Sequence, residues 1–270
     1  MDLNGKVALI TGSGKGIGKG IAKCMLEYGA KVCIHYNSNE ELAIQTFNEL
    51  TADGGEAILR KADVSDPAQC KALVESVVEH FGKLDILVDN AAMQYNRNLD
   101  EYDERRFNYL IDVNLCGYLN MIQYALPYLK ETQGVITTIS SVHGKRPTDF
   151  DPAYSFSKGG IKMLVRETAL ECMQYGVRIN SLLPGGVKIE FKTGEKPGEA
   201  MPQIVRTPPK FADGFQLPDM RTLFASMPPS KVRRQGLPKD LGYACVFLSS
   251  PLAEHITGAA IRVEAAAMLR

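Results

Sequence analysis

A glycine-rich segment directly after the first β-branched run limits the possible folds of this chain more than any other feature. Residues 11–18 read Thr-Gly-Ser-Gly-Lys-Gly-Ile-Gly, between a predicted strand at 6–11 and a predicted helix that begins at about Gly16. Glycines allow a tight turn, and the free N–H groups at a helix N-terminus attract a pyrophosphate. A strand, such a turn and a helix at the start of a chain are typical of a dinucleotide-binding β-α-β unit.

The alternation of short strands and longer helices continues along the chain. Further strands are predicted at 31–36, 57–62, 84–89, 134–140, 177–183 and 260–264, with helices that begin near Asn39 and Asp66 or cover 104–132 and 154–175. This order predicts the α/β class, with a doubly wound parallel sheet and helices on both faces. A length of 270 residues is ordinary for one such unit, so we expect residues 1–270 to form a single domain.

Residues 188–239 interrupt the alternation. They are rich in Pro and Gly, have little apolar periodicity and contain more Lys and Arg than Asp and Glu. A stretch of this length inside a compact domain is either a lid or a disordered insert, and we favour a substrate lid inserted before the last helix and strand. A basic lid would attract a phosphorylated or carboxylated substrate, whereas a merely solvated basic loop would not.

Composition excludes several classes of function. Lys plus Arg and Asp plus Glu each number 31, a balance that argues against nucleic acid or a membrane surface as a partner and favours a small substrate. The six cysteines and four histidines lack metal-ligand spacing, so we expect no metal site, and we interpret His35 as structural or surface-exposed. No signal-like segment precedes the apolar residues 7–10, and no apolar run approaches the roughly 20 residues of a membrane span, so we expect a cytoplasmic protein.

Tyr154 and Lys158 occupy positions i and i+4 of a predicted helix and therefore share one helix face. A phenol with a pKa near about 10 is protonated at neutral pH, and an ammonium beside it favours the phenolate, which makes the phenol a usable acid and base. The pair therefore indicates proton transfer to or from an alcohol or a carbonyl. The same pattern also occurs by chance in helices, where it means a half-buried ring beside a solvated charge.

The second predicted strand ends at residues 35–38 without a carboxylate, and Glu40 is the first acidic residue after it. An acidic residue at the strand end would bind the adenosine ribose and disfavour a 2′-phosphate. Lys15 in the glycine-rich segment supplies a cation for that phosphate. We therefore expect NADP(H) and keep NAD(H) as the alternative, in which Glu40 or Glu41 reaches the ribose.

These motifs fall in an order and spacing that resemble the short-chain dehydrogenase/reductase family over essentially the whole chain. The matching positions are residues 11–18, Asp63-Val64, Asn90-Ala91-Ala92, Asn114, Ser141, Tyr154 with Lys158, Asn180 and Pro184-Gly185. The resemblance implies a single-domain Rossmann fold and an oxidoreductase that interconverts a secondary alcohol and a carbonyl by hydride transfer with NAD(P). Residues 141–146 look like the sugar-dehydrogenase branch, which implies a sugar, polyol or related small hydroxy compound as substrate.

The resemblance also implies the catalytic roles. Tyr154 would be the acid/base, and Ser141 would hydrogen-bond the substrate oxygen. Lys158 would hold the nicotinamide ribose and lower the pKa of Tyr154, while Asn114 would anchor a water that links Lys158 to solvent. Adjacent residues of a strand point to opposite faces, so only one of Ser140 and Ser141 can meet Tyr154, and the family spacing selects Ser141.

Cofactor contacts are implied at the ends of several strands. Asp63 and Val64 would flank the adenine, and Pro184 to Val187 would support the nicotinamide. The complete expected set is Gly12, Ser13, Lys15, Gly16, Ile17, Gly18, Asn37, Ser38, Asp63, Val64, Asn90, Ala91, Tyr154, Lys158, Pro184, Gly185 and Val187.

Three positions depart from the family pattern. Ala92 stands where glycine is usual, and Ile189 stands where a threonine commonly meets the nicotinamide carboxamide. Glu264-Ala265-Ala266 replaces the usual Asp-Gly-Gly after the last strand, which puts the C-terminal turn and any subunit contact there in doubt. None of the departures removes a catalytic group.

Two other functions stay open at this point. One is a ketone reductase of the 3-oxoacyl-carrier-protein or ketosteroid kind, and the other is a cofactor-sensing binding protein that retains the fold without turnover. The complete set of Asn114, Ser141, Tyr154 and Lys158 argues against the second alternative. The resemblance also implies a homotetramer in which helices 104–132 and 154–175 pack against their symmetry mates.

Overall fold

A computed structural model describes residues 1–146, 151–189 and 235–265. Its strands are β1 (Val7–Ile10), β2 (Lys31–Tyr36), β3 (Ala57–Lys61), β4 (Ile86–Asp89), β5 (Val135–Ile139), β6 (Arg178–Pro184) and β7 (Ala260–Val263). Its α-helices are α1 (Gly16–Glu27), α2 (Glu40–Thr51), α3 (Pro67–Phe81), α4 (Glu104–Ile111), α5 (Gly117–Thr132), α6 (Pro152–Cys172) and α7 (Pro238–Ser249). The seven strands form one parallel sheet in the order β3-β2-β1-β4-β5-β6-β7.

Both faces of the sheet are covered, and this explains why its central strands are continuous apolar runs rather than alternating ones. Helices α1, α2 and α7 pack on the face that carries Ile10 and Val88. Helices α3, α5 and α6 pack on the other face, which carries Leu9, Leu87 and Ile136. The predicted α/β class and doubly wound parallel sheet are therefore confirmed.

The strand order reverses between β1 and its neighbour β4, where a doubly wound sheet opens a crevice at the carboxyl ends of its strands. The glycine-rich segment follows β1, and Asn90 follows β4. Ser141 follows β5, and Gly185 follows β6. The topology therefore brings the motifs recognised in the sequence to one edge of the sheet.

The helix predicted across 104–132 is not regular. A π-helical turn, Asp112–Cys116, separates α4 from α5. One extra residue in a turn changes which side chains point inward, and such turns are frequent at functional sites. Here the turn contains Asn114, whose side chain is fully buried.

Residues 190–234 of the predicted lid at 188–239 lie outside the described residues. The described flanks of that stretch are paired, because Val187 forms a parallel bridge with Gly236. The N–H of Lys188 donates to the Gly236 carbonyl at 2.8 Å, and the N–H of Gly236 donates to the Gly186 carbonyl at 2.9 Å. Helix α7 begins at Pro238, inside the predicted lid range. Among the described helices, none has the length and apolarity needed to cross a bilayer.

Ala265, which replaces the usual glycine after the last strand, has an unfavourable backbone conformation. Ala265 has a φ of 51°, in the left-handed region that glycine adopts without strain, and Ala266 lies outside the described residues. A glycine at 265 would relieve this strain.

We expect Ala265→Gly to raise the free energy of unfolding by about 1 kcal/mol, because an L-residue in the left-handed region is disfavoured by about 1–2 kcal/mol. Chemical denaturation of both proteins measures the change. Ala52→Gly is the matched control, since Ala52 has a φ of −56° and a glycine there should destabilise the protein. Equal losses of stability in both variants would contradict the assigned strain.

Candidate active site

Glycines shape the loop between β1 and α1. Gly12 has a φ of 64°, and a Cβ on it would lie 2.9 Å from the Cα of Ala91. A Cβ on Gly18 would lie 2.4 Å from the Gly12 carbonyl oxygen. Lys15 is the N-cap of α1 and its side chain makes no capping hydrogen bond, so it leaves the first N–H groups of the helix open to a ligand. This cradle of glycine backbone and an uncapped helix N-terminus fits a pyrophosphate.

His35 fixes the loop from behind. Its Nδ1 accepts the Gly12 N–H at 2.9 Å, and its Nε2 lies 3.0 Å from the Ala62 carbonyl, so the neutral tautomer with a proton on Nε2 satisfies both contacts. The hydroxyl of Ser13 donates to Ile10 at 2.7 Å and accepts from the His35 N–H at 2.9 Å. The side chain of Ser13, expected at the cofactor, therefore lies inside the protein. His35 is buried and structural.

Acid should weaken this support. Burial lowers the pKa of His35 from 6.5 to about 4, so its contribution to stability is complete above pH 6.5 and is lost as the pH falls through 4. We expect the unfolding free energy of the wild type to fall between pH 6.5 and 4 more steeply than that of His35→Gln, by up to about 1.4 kcal/mol per pH unit. Denaturation series at several pH values give both slopes. The exposed His80→Asn is the control, and an unchanged slope in His35→Gln would refute the assignment.

A groove of about 450 Å³ runs along the carboxyl ends of the central strands. Of the residues expected at the cofactor, it is lined by Gly12, Lys15, Gly16, Ile17, Asn37, Ser38, Asp63, Val64, Asn90 and Ala91. Residues not included in that set also line it, namely Gly14, His35, Tyr36, Asn39, Leu42, Ala92, Met93, Tyr109, Val113 and Ile189. The structure therefore brings the greater part of the expected nucleotide site together. The methyl groups of Ile189 lie 3.6 and 3.8 Å from where a Cβ on Gly16 would be.

At the end of the groove beside β2, the carboxylate of Glu40 is hydrogen-bonded. Tyr36 donates its phenolic hydrogen to Oε1 of Glu40 at 2.9 Å. Lys15, Asn37 and Ser38 are exposed and line the same part of the groove. A hydrogen bond to Tyr36 occupies one oxygen of Glu40, the nearest carboxylate to the strand end in sequence.

Asp63 and Asn90, which line the groove, form hydrogen bonds with backbone atoms. Asp63 accepts from the N–H and the hydroxyl of Ser65, at 2.9 and 2.7 Å. Asn90 donates from Nδ2 to the carbonyl oxygens of Thr11 and Gly12, at 2.9 and 3.2 Å. The Asn90 bonds hold the end of β4 against the glycine loop, whereas the Asp63 bonds stabilise the turn after β3.

Ser141, Tyr154 and Lys158 meet at the carboxyl end of β5. A hydrogen bond joins the side chains of Ser141 and Tyr154. The neighbouring Ser140 instead donates to the backbone carbonyl of Lys158 at 2.7 Å. Alternation along the end of β5 therefore directs Ser141, and not Ser140, to the phenol.

The pKa of Tyr154 differs from the expectation. Burial raises it, the hydrogen bond with Ser141 lowers it, and the carboxylate of Asp151 raises it. Lys158 does not hydrogen-bond the phenol: its Nζ lies 5.6 Å from the Tyr154 ring centroid, and it donates to the Ile139 carbonyl at 2.8 Å. Burial also lowers the pKa of Lys158 to about 7, which reduces its charge at neutral pH. Burial therefore outweighs any lowering of the Tyr154 pKa by Lys158, and the net shift is upward.

Asn114 links the π-helical turn to two other parts of the site. Its Oδ1 accepts the Met93 N–H at 2.8 Å, and its Nδ2 donates to the Met93 carbonyl at 2.8 Å. Nδ2 also donates to Oγ of Ser157 at 3.2 Å, next to Lys158 on α6. The side chain of Asn114 therefore fixes the loop after β4 against α6.

The remaining expected residues lie where β6 ends. Pro184 is the last residue of β6, and Gly185 donates its N–H to the Val263 carbonyl at 3.2 Å. A Cβ on Gly185 would lie 2.8 Å from the Cβ of Glu264, so the two chain segments approach closely there. The carboxylate of Glu264 lies 3.8 Å from Nε of Arg262. Pro184, Gly185 and Val187 are thus on the side of the crevice where β5 and β6 end.

Comparison with known proteins gives consistent matches. The family model described as short chain dehydrogenase matches residues 6–200. Glucose 1-dehydrogenase 2 of Bacillus subtilis is 31% identical over 271 residues, covering 97% of this chain and 95% of the relative. A versicolorin reductase of Emericella nidulans is 32% identical over 265 residues, covering 98% and 96%. A solved short chain dehydrogenase from Burkholderia cenocepacia in complex with NADP has a TM-score of 0.82 at 26% identity, covering 99% of both chains.

Proposed function

The chain belongs to the short-chain dehydrogenase family of oxidoreductases, and on that premise we propose that it is an NADP(H)-dependent enzyme interconverting a secondary alcohol and a carbonyl. Its substrate is a sugar, a polyol or a related small hydroxy compound. The observation that carries the proposal is the hydrogen-bonded pair of Ser141 and Tyr154 at the carboxyl end of β5, on the sheet edge that also carries the glycine loop. Residues 1–270 form one domain of this enzyme in the cytoplasm, with 188–239 as its substrate lid.

Tyr154 transfers the proton in this reaction. Because burial raises its pKa, the side chain is a neutral phenol at neutral pH and can donate from Oη to a carbonyl oxygen. Ser141 hydrogen-bonds the same oxygen and fixes its position. A nicotinamide cofactor held by the glycine loop and the groove would supply the hydride for the carbonyl carbon, or would take it from the carbinol carbon in the reverse direction. In that reverse direction Tyr154 first loses its own proton, and the resulting phenolate accepts the hydroxyl proton.

Lys158 and Asn114 support this proton transfer. Lys158 holds the cofactor ribose through its Nζ and stabilises negative charge that develops on Tyr154 when the proton leaves. Asn114 keeps the loop after β4 fixed against α6 and anchors a water that restores the proton from solvent. These roles are the ones that the family resemblance implies, and they are supported by the contacts of Asn114 with Met93 after β4 and of Lys158 with Ile139 at the end of β5.

The preference for NADP(H) is supported by charge at the β2 end of the groove. Lys15 lines it as an exposed cation, whereas Glu40 is hydrogen-bonded by Tyr36. A 2′-phosphate beside Lys15 would gain a charge-assisted hydrogen bond.

We expect Lys15→Ala to weaken NADPH binding by about tenfold and to leave NADH binding nearly unchanged, because a hydrogen bond to a charged group contributes about 1.5–3 kcal/mol. Titrations followed by nucleotide fluorescence measure both affinities. Lys19→Ala, which removes an ion pair of α1 with Glu49, is the matched control. Equal losses for NADPH and NADH in Lys15→Ala would show that Lys15 does not bind the 2′-phosphate.

A row of aromatic side chains near α6 favours a second substrate class, aromatic or other apolar ketones. Tyr95 and Tyr102 pack edge to face at 6.0 Å, and Tyr102 packs on Phe107 at 6.5 Å. Asp151, the N-cap of α6, accepts the Tyr102 hydroxyl at 2.6 Å and so places this row next to Tyr154. Turnover of a panel that contains sugars, polyols and aromatic ketones distinguishes the two classes.

A homotetramer is the proposed assembly. Support comes from exposed apolar side chains on the outer faces of α4 and α6, namely Phe107, Phe156, Met163 and Leu170. These helices are the ones expected to pack against symmetry mates.

A further inference from the structure

A second tyrosine, Tyr118 of α5, holds Lys158 from inside the protein. The ammonium donates to Oη of Tyr118 at 3.2 Å and to the Ile139 carbonyl at 2.8 Å. Tyr118 donates its own hydrogen to the same carbonyl at 3.0 Å. A hydroxyl can donate to a carbonyl while it accepts from an ammonium, so the three groups form a closed triangle of hydrogen bonds.

The rings of two tyrosines enclose the ammonium. Nζ of Lys158 lies 5.0 Å from the Tyr118 ring centroid and 5.6 Å from the Tyr154 ring centroid, within the range of cation–π attraction. Tyr118 is only 1% exposed, because its ring is packed into the core formed by α3, α5 and α6. The core therefore fixes Tyr118, and Tyr118 fixes Lys158.

Asp89 is a buried carboxyl group in the strand next to β5. It is the last residue of β4 and pairs in register with Thr138, the residue before Ile139. Side chains alternate along a strand, so Asp89 points to the same face as Leu87, the face on which α5 packs. Asp89 is 1% exposed: its Oδ1 accepts from Thr11 at 3.2 Å, and its Oδ2 has no hydrogen-bond partner among the described residues.

We propose that Tyr118 and Asp89 are positioning residues for Lys158: Tyr118 fixes Nζ at the end of β5, and Asp89 places a carboxylate on the same side of the sheet that favours the ammonium form of Lys158. The inference rests on the proposed function, in which that ammonium holds the cofactor ribose and stabilises the Tyr154 phenolate. It explains why a carboxylate with an unpaired oxygen stays buried in the core, where an unpartnered polar atom is costly.

Charge at Lys158 is finely balanced. Burial lowers its pKa to about 7, and Asp89 acts in the opposite direction. Burial raises the pKa of Asp89 well above its usual value, and Lys158 opposes that rise. The titratable described groups that face Lys158 are Asp89 from β4, Tyr118 from α5 and Tyr154 from its own helix; Tyr154 in turn faces Asp151 and His143, whose ring lies 6.2 Å from it. Removal of the Asp89 charge therefore changes the charged fraction of Lys158 at neutral pH.

The titration of Lys158 itself tests the proposal without any nucleotide. The full-length protein is labelled with lysine carrying ¹³C at Cε, and the Lys158 signal is identified by its absence in Lys158→Met. Asp89→Asn should lower the midpoint by about one pH unit, since a neighbouring negative charge favours the ammonium form. Tyr118→Phe, which removes a hydrogen-bond acceptor of the ammonium, should lower it by less. Tyr124→Phe removes the same atom from the same helix away from Lys158 and should not change it.

The outcomes separate this inference from the proposed function. Midpoints in Asp89→Asn and Tyr118→Phe equal to that of Tyr124→Phe would overturn the inference, even if the wild type reduces carbonyl compounds with NADPH. Lowered midpoints in a protein without such turnover would support the inference and refute the function. Where turnover is present, the high-pH decline of carbonyl reduction should move in each variant by the same amount as the Lys158 midpoint. A decline that stays in place while the midpoint moves would also overturn the inference.

Discussion

Replacement of Tyr154 by phenylalanine is expected to lower the turnover of carbonyl reduction by about 10²–10⁴-fold, the usual contribution of a general acid or base. The variant lacks only Oη, which joins Ser141 in a hydrogen bond and is neutral at neutral pH because burial raises the pKa of the phenol. The ring and its contact with the His143 ring remain. Nucleotide affinity should therefore stay nearly unchanged, and steady-state kinetics with a fluorescence titration measure both quantities.

Tyr128→Phe provides a control for the loss of a phenolic hydroxyl elsewhere, on α5. It should retain full turnover. Undiminished turnover in Tyr154→Phe would remove the tyrosine from the mechanism. A large loss of nucleotide affinity in Tyr154→Phe would instead assign the hydroxyl to binding.

Gly18→Ala is expected to damage both the fold and the nucleotide site. The added Cβ would lie 2.4 Å from the Gly12 carbonyl oxygen, 2.7 Å from Nδ2 of Asn90 and 2.8 Å from the Cα of Ser13. Backbone must move to relieve such contacts, and overpacking typically costs about 1–3 kcal/mol of stability. The shift would also disturb the N–H groups that face a pyrophosphate, so nucleotide affinity should fall by about 10–100-fold. Chemical denaturation and nucleotide titration measure the two effects.

Gly14→Ala is the matched variant in the same loop. A Cβ there would meet the Cβ atoms of Ala43 and Tyr36 at 3.2 and 3.4 Å, a tight contact that a displacement of α2 by a few tenths of an ångström would relieve. We expect a much smaller loss of stability and affinity than in Gly18→Ala. Equal effects of the two substitutions would show that the close packing of Gly18 against the Gly12 carbonyl does not support the nucleotide site.

The sheet and its order of elements could be predicted because each strand is marked by a short run of neighbouring residues in the sequence. The apolar run 7–10, the glycines after it and the helical period from Gly16 are read without knowledge of distant residues. The choice of Ser141 over Ser140 was likewise local, since it depended on the alternation of a strand and on spacing to Tyr154. The lid prediction at 190–234 stays untested by the described residues.

What the sequence did not reveal depends on contacts between distant residues. His35 supports Gly12 across 23 positions of sequence, and Tyr118 reaches Lys158 across 40. A buried histidine or tyrosine looks like any other core residue until the sheet brings its partner next to it. The π-helical turn was missed for the same reason, because Asn114 is fixed by Met93, which belongs to another element.

The most direct test of the central claim is transfer of deuterium from NADPH labelled with ²H at C4 of the nicotinamide. The protein is incubated with the labelled cofactor and a panel of keto sugars and aromatic ketones. The products are then analysed by mass spectrometry. Deuterium bound to the carbinol carbon of a product, and its loss in Tyr154→Phe, is the result predicted by hydride transfer with Tyr154 as proton donor. Nucleotide binding without any labelled alcohol, or equal labelling by Tyr154→Phe, would contradict it.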